Sequence, residues 1–211
     1  MNKECEIIFL IDDDESVRSS LTHFLQSADY KVESFVSAEE FLQRQVHEAT
    51  GCIILDVNLS GKSGLELQEE LISRSSHLPI IFITGYANIH MSVHALKKGA
   101  VNYLEKPFEE DELLHSVTEA VAQSHQILTE NEVLQKARQL IQKLTPKEYE
   151  VLTYLITGLL NKQIADKLNI VEHTVKIHKH SICEKFGVRS VPEIIHIAYQ
   201  AGLISTDKTY K

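Results

Sequence analysis

Short apolar runs alternate with amphipathic stretches over roughly the first 122 residues. Runs of four or five residues containing β-branched side chains are typical of buried strands in a parallel sheet. There are five such runs: Ile7–Ile11, Lys31–Phe35, Cys52–Leu55, Ile80–Ile83 and Val101–Leu104. Between them, apolar residues recur at helical spacing, as in Val17, Leu21, Phe24 and Leu25. Five strands alternating with five helices predict an α/β domain with a doubly wound, five-stranded parallel sheet over residues 1–122.

The last third of the chain, residues 144–204, has only helical patterns. Thr145-Pro146-Lys147-Glu148 predicts a helix start, because Thr145 and Glu148 have the spacing of a capping box and Pro146 suits the first helical position. A short helix over 161–168, a three-residue turn, a longer helix over 172–186 and a fourth helix over about 191–201 follow. Together they predict a small all-α domain with a helix-turn-helix.

Residues 123–143 connect the two predicted domains, and from Ser124 to Lys143 they contain neither Gly nor Pro. Their loosely helical apolar spacing predicts a helical linker that can continue the fifth helix. A packed interdomain helix is favoured over a coiled-coil dimer seam, because the stretch is shorter than three heptads. Residues 205–211 are expected to form a frayed tail.

Charge is distributed unevenly along the chain. Residues 1–143 carry a net charge of −11 and residues 144–211 a net charge of +2, within an overall charge of −9. This asymmetry favours two domains with different partners, the second binding an anion.

The longest apolar run is far below the roughly 18 residues of a membrane helix, and no export signal is apparent. Three widely separated cysteines fit a reducing setting, so we expect a cytoplasmic protein that does not bind membranes.

The ends of the predicted strands carry complementary polar groups. Asp12 and Asp13 follow the first strand, Asp56 the third and Thr84 the fourth, and Lys106 follows the fifth. Ligands bind at the carboxyl ends of parallel strands, and crowded carboxylates favour Mg²⁺, which prefers oxygen ligands. Magnesium points to phosphate chemistry, in which Asp56 is the candidate nucleophile that forms an aspartyl-phosphate.

Each of these residues also has a simpler interpretation. An Asp that follows a strand is often only a helix cap or a turn residue, and a Thr before a Gly is often part of a turn. The functional interpretation is favoured because four strand ends supply complementary groups at once.

Residues 1 to about 122 resemble the receiver domain of response regulators. The residues that carry the resemblance are Ile11-Asp12-Asp13, Leu55-Asp56, Ile83-Thr84-Gly85 and Glu105-Lys106-Pro107-Phe108. The resemblance implies a flavodoxin-like receiver that accepts a phosphoryl group from a cognate sensor histidine kinase. It also implies a cis Lys106–Pro107 bond. The chain has Leu59-Ser60 where the family often has Met-Pro, which predicts a more flexible loop with no chemical group lost.

The receiver resemblance also implies individual roles. Asp56 becomes the phosphoacceptor. Magnesium is held by Asp12, Asp13, Asp56 and the backbone carbonyl of Asn58, with Asp13 a direct ligand. Lys106 pairs with the phosphoryl group, and Thr84 and Tyr103 form the switch pair, in which Thr84 moves towards the phosphoryl group and Tyr103 turns into the vacated space.

Residues 144 to about 204 resemble a LuxR-type helix-turn-helix. The matching residues include Leu144-Thr145, Glu148, Asn161-Lys162, Ile164-Ala165, Thr174-Val175-Lys176, His178 and Lys185. The resemblance implies that Lys176, Ile177 and His180 enter the major groove and that the fourth helix dimerises. Thr174 belongs to the same predicted DNA-binding surface, with Lys162 and Lys179 nearer the phosphates.

The helix-turn-helix region departs from the family pattern at two places. Val171 replaces the usual Ser or Thr cap, which predicts a cost of about 1 kcal/mol at the start of the recognition helix. Val191-Pro192 replaces the usual Ser-Arg, so one phosphate contact is expected to be missing.

Together the two resemblances cover nearly the whole chain and match FixJ/NarL-type two-component response regulators. They predict a transcription factor that dimerises when phosphorylated and binds double-stranded promoter DNA, with RNA polymerase a further candidate partner. They predict no turnover enzyme. Two alternatives stay open: a haloacid-dehalogenase-like phosphatase using Asp12-x-Asp14, and a receiver-linked interaction module that binds no DNA.

Overall fold

The computed structural model describes residues 6–44, 50–85 and 89–203. The chain divides into two compact units, the first ending at Leu128 and the second beginning at Thr129. The predicted frayed tail, 205–211, lies outside the described residues.

The first unit is built on a parallel sheet, as predicted. Its strands are β1 (Glu6–Ile11), β2 (Lys31–Phe35), β3 (Thr50–Asp56), β4 (Ile80–Thr84) and β5 (Asn102–Glu105). Their order is β2-β1-β3-β4-β5, and every neighbouring pair is parallel. The carboxyl ends of β1, β3, β4 and β5 therefore lie along one edge of the sheet, where the predicted site residues occur.

Helices cover both faces of this sheet. They are α1 (Glu15–Ser27), α2 (Ala38–Gln43), α3 (Gly64–Ser73), α4 (Ile89–Lys97) and α5 (Glu110–Gln142). Alternate β1 side chains point to opposite faces, so Phe9 and Ile11 join one apolar core and Ile8 and Leu10 the other. The central strands are covered on both faces, which explains why β1, β3 and β4 contain continuous apolar runs.

Gly64 brings α3 close to the end of β3. A Cβ at this position would lie 2.3 Å from the carbonyl oxygen of Asp56. Only glycine allows this approach, and the N–H of Gly64 also donates to the carbonyl of Val57 at 3.0 Å. The loop between β3 and α3 is therefore held tightly against the strand end.

Helix α5 is one continuous helix of 33 residues that includes nearly all of the predicted linker. Its first turns pack Leu113 and Val117 on the sheet. Further along, the hydroxyl of Ser124 accepts from the N–H of Gly51 at 3.1 Å. The boundary between the two units falls inside this helix, where no Gly or Pro interrupts it.

The second unit contains the end of α5 and four helices: α6 (Pro146–Leu155), α7 (Asn161–Leu168), α8 (Glu172–Phe186) and α9 (Val191–Gln200). Their buried faces form one apolar core that includes Val151, Ile164, Val175 and Ile194. Asn169 adopts a left-handed conformation, with φ 52°, at the tight turn between α7 and α8. Val171 makes no side-chain capping hydrogen bond, as its side chain predicted.

In the part of the chain that the structure describes, no helix combines the length and apolar character that crossing a membrane requires.

Candidate functional site

The carboxyl edge of the sheet brings three of the predicted site residues into direct contact. Lys106, just after β5, places its Nζ 2.6 Å from Oδ2 of Asp12 and 2.6 Å from Oδ2 of Asp56. Asp12 is fully buried and Asp56 is 7% exposed. The backbone N–H of Lys106 donates to the carbonyl of Thr84 at 2.7 Å, which fixes the start of the β5–α5 loop beside β4. The Lys106–Pro107 bond is cis, as the resemblance implied.

The charges in this cluster influence each other. Burial raises the pKa of Asp12, and its hydrogen bond with Lys106 offsets only part of that effect. Burial alone would lower the pKa of Lys106, but its hydrogen bonds to Asp12 and Asp56 raise that pKa above its ordinary value. Lys106 is therefore a permanent cation at the centre of the acidic residues, and it partly neutralises two buried carboxylates.

Asp13 points to a different partner. Its Oδ2 accepts from the backbone N–H of Ser60 at 3.0 Å and also from the Ser60 hydroxyl. The hydroxyl hydrogen bond is the main reason why the pKa of Asp13 lies below its ordinary value. The sequence suggested only that Ser60 makes its loop more flexible. The structure shows instead that Ser60 contributes two donors, neither of which a proline would have.

Asp14 acts as a helix cap. Its Oδ1 accepts from the N–H groups of Ser16 and Val17, at 2.8 and 3.3 Å, at the start of α1. Acidic side chains in this position satisfy the first N–H groups of a helix. The carboxylate of Asp14 is therefore directed at the helix end and not towards Lys106.

Of the predicted switch pair, Thr84 is the last residue of β4 and Tyr103 lies within β5. Thr84 is fully buried, and its hydroxyl accepts from Nδ2 of Asn58 at 3.3 Å. The N–H of Asn58 in turn donates to Oδ1 of Asp56 at 2.8 Å. The Tyr103 hydroxyl is buried, and its ring centroid lies 6.1 Å from that of Phe82. A chain of contacts thus runs from Asp56 through Asn58 to Thr84.

The donors at this edge suit Mg²⁺. Magnesium usually keeps several water ligands and takes one or two protein carboxylates. Asp13, just after β1, and Asp56, at the end of β3, are two carboxylates at this edge, and the carbonyl of Asn58 would be a third oxygen donor. Within 6–44, 50–85 and 89–203, no group of three or more His, Cys, Asp or Glu side chains is arranged to hold a metal ion. A Mg²⁺ ion at this edge would therefore rely on the carbonyl of Asn58 and on water besides two carboxylates.

A second surface lies on α8, the longer helix of the predicted helix-turn-helix. Lys176, Ile177 and His180 are exposed on it, and the Ile177 side chain is 54% exposed although it is apolar. Lys176 pairs with Glu172 at 3.2 Å, and His180 lies 3.5 Å from Glu184. Both pairs are solvent-exposed, so they are weak and easily exchanged for a stronger anionic partner.

The remaining predicted DNA-binding residues differ in exposure. Lys162 is exposed at the start of α7, whereas Thr174 and Lys179 are half-buried. Lys179 Nζ donates to Oδ1 of Asn161 at 3.0 Å, which links α8 to α7. Lys179 therefore also helps to hold the two helices of the motif together.

Glu148 has a role beyond the capping box that the sequence predicted. Its Oε2 accepts from the N–H of Thr145 at 2.7 Å and from Nζ of Lys185 at 2.5 Å, and its Oε1 accepts from Ser181 at 2.6 Å. Burial would raise the pKa of Glu148, but the hydrogen bonds, led by that from Lys185, lower it to about 2. Glu148 thereby fastens the start of α6 to α8.

Comparison with known families matches both units. The family described as response regulator receiver domain matches residues 8–118. The family described as bacterial regulatory proteins, luxR family, matches residues 142–198. The two matches leave residues 119–141, the greater part of the linking helix, between them.

Individual proteins are similar over almost the full length. Nodulation protein W of Bradyrhizobium diazoefficiens is 40% identical over 93% of this chain and 87% of its own. Transcriptional regulatory protein FixJ of the same organism is 34% identical over 94% of this chain and 97% of its own.

Solved structures give the same result. That of response regulator StyR is 42% identical and has a TM-score of 0.81, covering 92% of this chain and 98% of its own. Full-length FixJ from B. japonicum is 34% identical, with a TM-score of 0.57 over 95% and 98% of the two chains. The chain therefore belongs to the response regulators of two-component systems, in which a receiver domain is joined to a LuxR-type, DNA-binding helix-turn-helix domain.

Proposed function

We propose that phosphorylation of Asp56 controls DNA binding by this response regulator. The observation that carries the proposal is the position of Lys106, whose Nζ lies 2.6 Å from carboxylate oxygens of both Asp12 and Asp56. A cation in this position orients the Asp56 carboxylate, as a nucleophile requires. The same cation is within reach of oxygens on a group attached to Asp56.

In the proposed reaction, a carboxylate oxygen of Asp56 attacks the phosphorus of a phosphohistidine on the sensor kinase. The new O–P bond forms as the P–N bond breaks, and the electron pair of that bond returns to the imidazole. Asp13, Asp56 and the carbonyl of Asn58, with Asp12 nearby, would hold magnesium, which would neutralise the phosphoryl charge. Lys106 pairs with the phosphoryl oxygens and so stabilises the acyl phosphate.

The proposed switch uses Thr84 and Tyr103. The Thr84 hydroxyl, which accepts a hydrogen bond from Asn58, moves so that it donates a hydrogen bond to a phosphoryl oxygen. The movement of Thr84 lets Tyr103 repack against the end of β4 and changes the surface formed by α4 and β5. We propose that this new surface supports a homodimer, which positions two DNA-binding domains on two half-sites.

The proposed DNA-reading surface is the exposed face of α8. Lys176, Ile177 and His180 are placed to reach base edges, and Lys162, Thr174 and Lys179 to position the helix on the phosphate backbone. We place this function in the cytoplasm, where the regulator meets promoter DNA and, as a further partner, RNA polymerase.

The two alternatives have less support. A haloacid-dehalogenase-like phosphatase needs the carboxylate of Asp14 at the reacting centre, but that carboxylate caps α1. An interaction module without DNA binding is less favoured because the second unit matches the family described as bacterial regulatory proteins, luxR family. We therefore propose a regulator that is phosphorylated itself and does not turn over a substrate.

Mass spectrometry tests the phosphorylation. The full-length chain, incubated with acetyl phosphate and magnesium, should gain one phosphoryl group that maps to Asp56. The Asp56→Asn variant should gain none. A label on another residue, or no label on the unmodified sequence, would contradict the proposal.

A further inference from the structure

Ser60 connects the two loops that carry the proposed magnesium ligands. Asp13 lies on the loop after β1, whereas Asp56 and Asn58 lie at the end of β3 and the start of the following loop. Ser60 belongs to this second loop and reaches across to Asp13, 47 residues away in sequence. Both of its donors, N–H and O–H, meet the same carboxylate oxygen, Oδ2.

The loop that carries Ser60 is itself firmly held. Leu59 is buried in the core, and the N–H of Gly64 bonds to the carbonyl of Val57 at 3.0 Å. Ser63 and Glu66 form a reciprocal capping box at the start of α3. Ser60 therefore presents its donors from a fixed backbone, whereas Asp13 is exposed to solvent and depends on its partners for its orientation.

We infer that Ser60 is a positioning residue for magnesium: it holds Oδ2 of Asp13 so that this carboxylate lies beside the donors of the β3–α3 loop. Hydrogen bonds that orient a metal-binding carboxylate raise metal affinity, and their loss typically lowers it about 10–100-fold. Proline at this position could supply neither bond, and alanine could supply only the N–H bond. The inference rests on the proposed magnesium site, and it adds a residue that does not itself touch the ion.

Magnesium binding to the unphosphorylated full-length chain tests the inference without relying on phosphorylation. Calorimetric titration with magnesium chloride should show weaker binding by Ser60→Ala, about three- to tenfold, and at least as large a loss for Ser60→Pro. Ser60→Thr keeps both donors and should restore binding to within about twofold of the unmodified chain. Ser73→Ala, on the exposed end of α3, makes the same chemical change away from the site and should leave affinity unchanged.

The outcomes separate this inference from the proposed function. If the unmodified chain binds magnesium and Ser60→Ala binds it equally well or more tightly, Ser60 does not position Asp13, and the proposed phosphorylation of Asp56 stands. If the unmodified chain binds no magnesium, the proposed metal site fails together with the inference. Unfolding free energies of all four variants identify any loss that comes from misfolding.

Discussion

Nδ2 of Asn58 donates to the hydroxyl of Thr84 at 3.3 Å, which joins the loop after Asp56 to the end of β4. The backbone N–H of Asn58 donates to Asp56, so this residue contacts both the proposed phosphoacceptor and the proposed switch residue. Thr84 is fully buried, so its environment is sensitive to the shape of the side chain as well as to its polarity. Isosteric substitutions can separate the two effects.

Thr84→Val should uncouple phosphorylation from DNA binding. Valine keeps the shape of threonine but has no hydroxyl, so Asp56 should still be labelled while the conformational signal is lost. Allosteric couplings are typically about 5–150-fold in affinity. We expect the phosphorylation-dependent gain in DNA affinity, measured by fluorescence anisotropy, to fall to less than about twofold in Thr84→Val and to persist in Thr84→Ser. Retention of the full gain in the valine variant would remove Thr84 from the switch.

Lys106→Met should destabilise the receiver and strengthen magnesium binding. Asp12 and Asp56 would lose their shared cation, and removing one partner of a buried ion pair typically costs about 3–5 kcal/mol. Magnesium should recover part of the lost stability, because without Lys106 the site that binds the ion has one positive charge fewer. Urea unfolding with magnesium and with chelator measures both effects.

The control for Lys106 is Lys98→Met, which removes a more exposed ion pair with Glu69. Exposed pairs contribute about 0–1 kcal/mol, so this variant should be nearly as stable as the unmodified chain and should bind magnesium equally well. Weaker magnesium binding by Lys106→Met would show that Lys106 orients the carboxylates more than it repels the ion.

The sheet and the helix-turn-helix could be predicted because their signals are local. The structure has α7 and α8 at the predicted bounds, since Asn169 and Gly187 adopt left-handed conformations that end them. The fifth strand differs slightly, as β5 covers Asn102–Glu105 and not Val101–Leu104. The continuous length of α5 was harder to predict, because periodicity alone does not show whether two neighbouring helical patterns form one helix.

The contacts that the sequence did not reveal join distant segments. Ser60 differs from the family pattern, but nothing near it indicates that its donors reach Asp13. Glu148 has a visible capping partner three residues away, whereas its partner Lys185 is 37 residues away. Local spacing predicts which residues end a helix or strand, and only the packed fold shows which ends meet.

Glu148→Gln should destabilise the DNA-binding domain in a pH-dependent way. The pKa of Glu148 is lowered from 4.5 to about 2 on folding, so its ionised form stabilises the fold above pH 4.5, and this contribution is lost as the pH falls towards 2. The shift corresponds to about 3 kcal/mol at neutral pH. Chemical unfolding of the full chain, monitored by circular dichroism, should show a difference between the two proteins that shrinks below pH 4.5.

Glu150→Gln is the matched control for Glu148, because Glu150 lies on the same helix and pairs with Lys147 at the surface. Its effect should be below about 1 kcal/mol. Equal effects of the two substitutions would mean that the contacts of Glu148 with Lys185 and Ser181 contribute no stability of their own.

Lys162→Ala should weaken DNA binding equally for all sequences. A lysine that contacts phosphate releases a counterion on binding, so its loss should reduce the slope of log affinity against log salt concentration by about 1. Anisotropy titrations over a series of salt concentrations provide the slope, both for genomic fragments selected by binding to the unmodified chain and for unrelated DNA. A change confined to one DNA sequence would instead indicate that Lys162 contacts a base.

Lys176→Ala should weaken binding chiefly to the preferred DNA sequence. A side chain that contacts a base edge contributes about 1–3 kcal/mol of discrimination, so affinity for selected genomic fragments should fall about tenfold, with a smaller loss for unrelated DNA. Lys147→Ala is a close control, because the side chains of Lys147 and Lys176 are 64% and 60% exposed and each pairs with a glutamate of its own helix. Charge and exposure are thus matched, and the two lysines differ in that only Lys176 lies on α8. Equal losses for the two variants would show that general electrostatic attraction, and not the exposed face of α8, directs this regulator to its DNA.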